Sequence, residues 1–72
     1  MKTKDEAYKA FGQRLREIRR SKNLSQEDLS GRADLDRTYV SGCERGLRNP
    51  SLKTMIRLAK ALEVDLKDLF DA

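Results

Sequence analysis

Residues 25–46 constrain this chain more than any other stretch. They read Ser-Gln-Glu-Asp-Leu-Ser-Gly-Arg-Ala-Asp-Leu-Asp-Arg-Thr-Tyr-Val-Ser-Gly-Cys-Glu-Arg-Gly. Ser25 and Asp28 form a weak capping box, with Asp in place of the preferred Glu or Gln. Leu29 and Ala33, at i and i+4, give the helix that follows an apolar face. Asp34 stands where the chain must turn, and Asp tolerates the left-handed conformation better than most residues. Leu35 follows as an apolar plug. Asp36 can place a side-chain oxygen on the open N–H groups of a second helix. Gly46 ends that helix where a positive φ is wanted. Two helices this short, joined by so tight a corner, form a helix-turn-helix, whose second helix commonly enters the DNA major groove.

The flanks supply a core for this motif. Tyr8, Phe11, Leu15 and Ile18 recur with helical spacing and predict a helix over about residues 7–22. Arg14, Arg16 and Arg20 lie off that stripe, and Arg19 borders it. Asn23 breaks the helix and Leu24 is a core candidate. The motif helices are expected at residues 25–33 and about 37–45. Gly46 and Pro50 bracket a loop. Ser51 caps a fourth helix to about Leu62, with Leu52, Met55, Ile56, Ala59 and Leu62 as its buried face. Glu63-Val64 is a short link. Asp65 caps a fifth, short helix, with Asp68 three residues on and Leu66, Leu69 and Phe70 as its apolar set. The first few residues and Asp71-Ala72 are expected to fray. The reading is a single all-α domain over 1–72, with five helices.

Composition narrows the chemistry. The chain has one Cys and no His, which excludes a zinc site or a Cys/His nucleophile pair. A lone Cys43 points to a small buried hydrophobe and to a cytoplasmic protein. No run of about 18 apolar residues predicts a membrane span, and the N-terminus lacks a signal-peptide apolar stretch. Carboxylates are scattered as caps and salt-bridge partners, so an enzyme is not expected, and no cofactor is. The formal charge is +4, but residues 1–22 carry +5 and residues 23–50 carry −1. A basic chain suggests a polyanionic partner. The bland alternative is that the bases of helix 1 form its solvated face.

The second motif helix sorts the alternatives. With Arg37 at zero and about 100° per residue, Ser41, Arg45, Thr38 and Gly42 fall within about 140° of one another. Val40 and Cys43 fall on the opposite side, with Glu44 beside them. Arg37 in the first turn suits bidentate bonding to a guanine edge, and Thr38 can bond a base edge or pack on a thymine methyl. Gly42 would leave room for close approach of DNA. The competing reading is an ordinary amphipathic helix with a polar face. Tyr39 lies at the boundary, open to base contact, phosphate contact or plain packing. Gln26, in the first turn of helix 2, can hold a phosphate or be a surface residue. Arg45, Arg48 and Asn49 are placed to grip a flanking backbone, and Arg48 could also enter a minor groove. Arg19 and Glu44 each border an apolar stripe and are predicted to pair, tying helix 1 to helix 3.

Gln26 through Gly46, followed by Asn49-Pro50-Ser51-Leu52, resembles the Cro/Xre-type helix-turn-helix of phage repressors and their relatives. So does Leu58-Ala59-Lys60-Ala61-Leu62. The family commonly has Ala where Ser30 stands and Gly where Asp34 stands. Within it, Asp36 through Gly46 with Arg48-Asn49-Pro50 looks like the controller proteins of restriction–modification systems. The resemblance implies a compact five-helix lambda-repressor-like domain. It implies a transcriptional regulator working as a homodimer on a palindromic DNA operator. Arg37, Thr38 and, less directly, Tyr39 and Ser41 would read bases. Gln26, Arg45, Arg48 and Asn49 would hold the backbone. The region 51–70 would form the dimer, with Leu52, Leu66 and Leu69 as candidates. Glu27 is exposed where family activators touch RNA polymerase. The rival expectation is a protein-interaction module, such as an antitoxin, or a phage-type repressor.

Overall fold

The computed structural model describes residues 4–70. Helix α1 spans Lys4–Ser21, α2 Gln26–Ala33, α3 Arg37–Glu44 and α4 Leu52–Leu62. A 3-10 turn at Leu66–Leu69 follows. Among the described residues the all-α class therefore holds with four α-helices, and the expected fifth is corrected to this single turn. Its bonds are of the i to i+3 kind: the Asp68 N–H donates to the Asp65 carbonyl and the Phe70 N–H to the Lys67 carbonyl, each at 3.0 Å. Four residues are too few to repay the nucleation of an α-helix. The fraying expected at the chain ends falls outside the described residues.

Local chemistry starts each motif helix where the sequence indicates. The Ser25 hydroxyl accepts from the Asp28 N–H at 2.9 Å, and the Asp28 carboxylate accepts from the Ser25 N–H at 2.9 Å. The Asp36 carboxylate accepts from the Thr38 N–H at 3.0 Å, and Ser51 accepts from the Thr54 N–H at 3.1 Å. Every α-helix then leaves through one left-handed residue. These are Asn23 (φ 59°), Asp34 (φ 56°), Gly46 (φ 75°) and Glu63 (φ 58°).

The core is built from all five elements. Leu15, Leu29, Val40, Cys43, Leu58, Leu62 and Leu69 are its largest fully buried side chains. Helix α3 packs on α1 and α2, α4 packs on α2, and the 3-10 turn sits on α1 and α4. The α1–α3 approach is close enough to require Gly12. A Cβ there would collide with the Cys43 carbonyl and lie 2.7 Å from that of Glu44. The Arg14 Nε donates to the Asp68 carbonyl at 2.8 Å and ties α1 to the C-terminal turn.

Two packing expectations are corrected. Leu69, a candidate for the dimer interface, is wholly buried within the chain. Leu52 and Ile56, expected on the buried face of α4, are 59% and 39% exposed. The face of α4 that meets the core is set by Leu58, Ala59, Ala61 and Leu62. Leu52 and Ile56, at i and i+4, are left on a second apolar strip. Phe70 is also exposed, its ring 5.7 Å from that of Phe11.

Candidate nucleic-acid interface

Helix α3 is held from behind and open in front. Val40 and Cys43 are fully buried, which anchors the helix by its apolar side. Arg37 and Thr38, in its first turn, are exposed, and Ser41 is half-buried. Arg45, Arg48 and Asn49 are exposed after its last turn.

Gly42 departs from the sequence reading. It is buried, and a Cβ placed on it would meet the Cγ of Arg48 at 2.8 Å. The Leu47 N–H donates to the Gly42 carbonyl at 2.9 Å. Gly42 thus makes room for the Arg48 stem rather than for an approaching duplex. The guanidinium of Arg48 continues to the ring of Tyr39, 5.5 Å from its centroid, within cation–π range. Tyr39 is half-buried, and its hydroxyl interacts with Cys43 and Thr54. Burial, then the Cys43 neighbour, pushes the Tyr39 phenol above its ordinary value. Burial also raises the Cys43 thiol, so it stays protonated and unreactive at neutral pH.

Behind this surface lies a buried polar network. The Arg19 Nε donates to Glu44 Oε2 at 2.6 Å and its Nη2 to Oε1 at 3.0 Å. Its Nη1 donates to the Leu24 carbonyl at 2.7 Å. The two residues are 7% and 8% exposed. The Gln26 Nε2 donates to the same Glu44 Oε1 at 3.1 Å, so one carboxylate joins α1, α2 and α3. Among the described residues no buried side-chain nitrogen or oxygen is left without a partner. Gln26 therefore sits at the start of α2 with its amide oriented by Glu44. Glu27 and Asp28 share that turn. The Asp28 carboxyl is held below the usual carboxylate range by the N–H and hydroxyl of Ser25.

Two contributors carried little or no sequence signal. Arg57 of α4 donates from Nε to the Ala33 carbonyl at 3.1 Å and from Nη2 to the Asp34 carbonyl at 2.8 Å. It holds the corner between the motif helices, yet in the sequence it is one more base on a polar face. Gly12 had one available signal, since a mid-helix Gly costs about 1 kcal/mol relative to Ala unless packing requires it. Gly31 has open space around it, and nothing in the structure explains it.

Known proteins place this arrangement. The helix-turn-helix family HTH_3 matches residues 15–69. The control protein C.BamHI of Bacillus amyloliquefaciens is 55% identical over 62 residues, covering 85% of this chain and 76% of that protein. The control protein C.MunI of Mycoplasma sp is 43% identical over 61 residues, covering 83% and 82%. The crystal structure of the restriction-modification controller protein C.AhdI from Aeromonas hydrophila superposes with a TM-score of 0.86 at 52% identity. It covers 88% of this chain and 96% of that one. With its motif, its capped corner and these relatives, the chain belongs to the helix-turn-helix family of transcriptional regulators and is related within it to the restriction–modification controller proteins.

Proposed function

We propose that this protein is a homodimeric, sequence-specific DNA-binding regulator acting on a palindromic operator, and that it controls restriction–modification gene expression. The observation that carries the reading is α3 itself. Its buried side is locked into the core, and its first turn offers Arg37 and Thr38 to solvent. Relatives named as control proteins support the regulatory role. In this reading Arg37 and Thr38 read base edges from the major groove, with Ser41 and Tyr39 beside them. Gln26, Arg45, Arg48 and Asn49 hold phosphates on either side and set the register.

The second copy is assigned to the exposed apolar strip of α4. Leu52 and Ile56 are its centre, with half-buried Leu66 nearby in the chain. Met55 lines an adjoining groove of about 160 Å³ with Tyr8, Phe11, Pro50 and Phe70. A two-fold pair of recognition helices demands half-sites about one helical turn, roughly 34 Å, apart. Glu27, exposed on the first turn of α2, is the surface assigned to RNA polymerase.

Band-shift titrations at several salt concentrations test the DNA role. Arg37→Ala is expected to cost about 1–3 kcal/mol and to relax preference at one base position. Arg45→Ala is expected to weaken all sequences alike and to flatten the salt slope by about one. Intact discrimination in Arg37→Ala refutes the role given to α3. Failure of the unmutated protein to shift its own upstream DNA at about 150 mM salt, with a co-purifying protein partner, favours a protein-interaction module instead. In sedimentation velocity, Leu52→Asp is expected to turn a dimer into a folded monomer, and a persistent dimer removes α4 from the interface.

A further inference from the structure

Neighbouring residues of α4 serve two different parts of the molecule. Ile56 is exposed on the apolar strip assigned above to the second copy. Arg57, the next residue, engages the corner of the motif. Its guanidinium donates to the Ala33 and Asp34 carbonyls at 3.1 and 2.8 Å. These carbonyls close α2 at the left-handed Asp34, and α3 begins three residues later at Arg37. The Asp34 carboxylate, 3.4 Å from Nη2, is 99% exposed and adds little to this grip. A guanidinium presents several donors in a fixed planar fork and can hold two oxygens in one orientation. A Lys ammonium is a point charge on a flexible stem and cannot.

We infer that Arg57 is a positioning residue that fixes the angle of the recognition helix to the dimer axis, and thereby the half-site spacing the protein accepts. The inference rests on the dimeric-operator reading above. Arg57 is given no contact with DNA; it acts through the corner. Moving one half-site by a base pair shifts it by about 3.4 Å and rotates it by about 34°. A rigid joint between α4 and the α2–α3 corner rejects that shift, and a loosened joint tolerates it.

The test uses the full chain and a duplex selected by the unmutated protein from a random-sequence library. Versions of that duplex with one base pair added to or removed from the spacer are titrated beside it. Arg57→Lys is expected to lower the preference for the selected spacer by about tenfold. Dimerisation and the salt slope stay at their unmutated values, because the charge is kept. A general loss of stability does not alter spacer preference in this way. Asp34→Asn is expected to keep the unmutated preference. Arg57→Lys protein that folds and retains that preference overturns the inference. Arg57→Gln is read in the same way if the Lys variant melts below the assay temperature. Failure of both to fold also overturns it, since Arg57 is then a stability residue. A selection by the unmutated protein that yields no duplex with two half-sites overturns the operator reading itself, and the inference with it, before any variant is made.

Discussion

Replacing Glu44 by Ala removes three hydrogen-bond acceptances at once: two from Arg19 and one from Gln26. Arg19 is only 7% exposed, so its guanidinium cannot turn to water. One bond, to the Leu24 carbonyl, is all it keeps. Stranding a buried charge in this way costs about 3–5 kcal/mol. A domain of 72 residues has a total stability of about 4–11 kcal/mol. The loss is therefore on the order of half of the whole. Urea unfolding followed by far-UV circular dichroism reads it directly. With a slope of about 1 kcal/mol per molar for a chain this size, the midpoint falls by about 3–5 M. Protein concentration is held fixed, because the dimer proposed above would make apparent stability depend on it. The double variant Arg19→Met, Glu44→Leu exchanges both charges for apolar groups and is expected within about 1 kcal/mol of the unmutated protein, or above it. A loss below about 1 kcal/mol in Glu44→Ala refutes the reasoning, because that is the worth of a solvent-exposed pair.

Two glycines on helices are expected to respond in opposite directions to the same change. Gly12→Ala drives a methyl into the Cys43 and Glu44 carbonyls and should cost about 1–3 kcal/mol, despite the better helix propensity of Ala. Gly31→Ala meets open space and should gain up to about 1 kcal/mol. Urea midpoints moving the same way for both contradict the packing described. The Asp28 carboxyl, depressed by the Ser25 N–H and hydroxyl, binds its proton less readily in the folded chain than in the unfolded one. Its contribution is present above the unfolded value, about pH 4, and is lost as pH falls through the lower folded value. Asp28→Asn should flatten that part of the acid unfolding curve, and an unchanged curve shows the box to be open in solution.

Much of the motif was legible because its determinants are local. Ser25 with Asp28, Asp36 and Ser51 act within three residues of themselves, so spacing alone locates the helix starts. The pairing of Arg19 with Glu44 was also within reach, since both border apolar stripes of helices that must pack. What depends on tertiary approach was not legible. Leu52 and Leu69 carry the same side chain at helical spacing, yet one is exposed and the other buried. The choice is made by where α1 and α4 meet the last turn. Gly42 looks open on a helical wheel, but a wheel does not show a later residue folding back, as Arg48 does. Arg57 bonds main-chain carbonyls, and these have no signature in a sequence.

The four left-handed exits have a consequence for how this chain tolerates change. Asn23, Asp34 and Glu63 are exposed, and positions like these ordinarily accept almost any residue. Here each redirects the chain through a conformation that β-branched side chains resist and that proline, with its fixed negative φ, cannot adopt. A saturation library scored for folded protein should therefore show depletion of Val, Ile and Pro at 23, 34 and 63, with Gly, Asn and Asp retained, and Gly alone retained at 46, where a Cβ would lie 2.9 Å from the Lys9 Cα. Three of these sites lie on the surface and are restricted by backbone geometry rather than by burial.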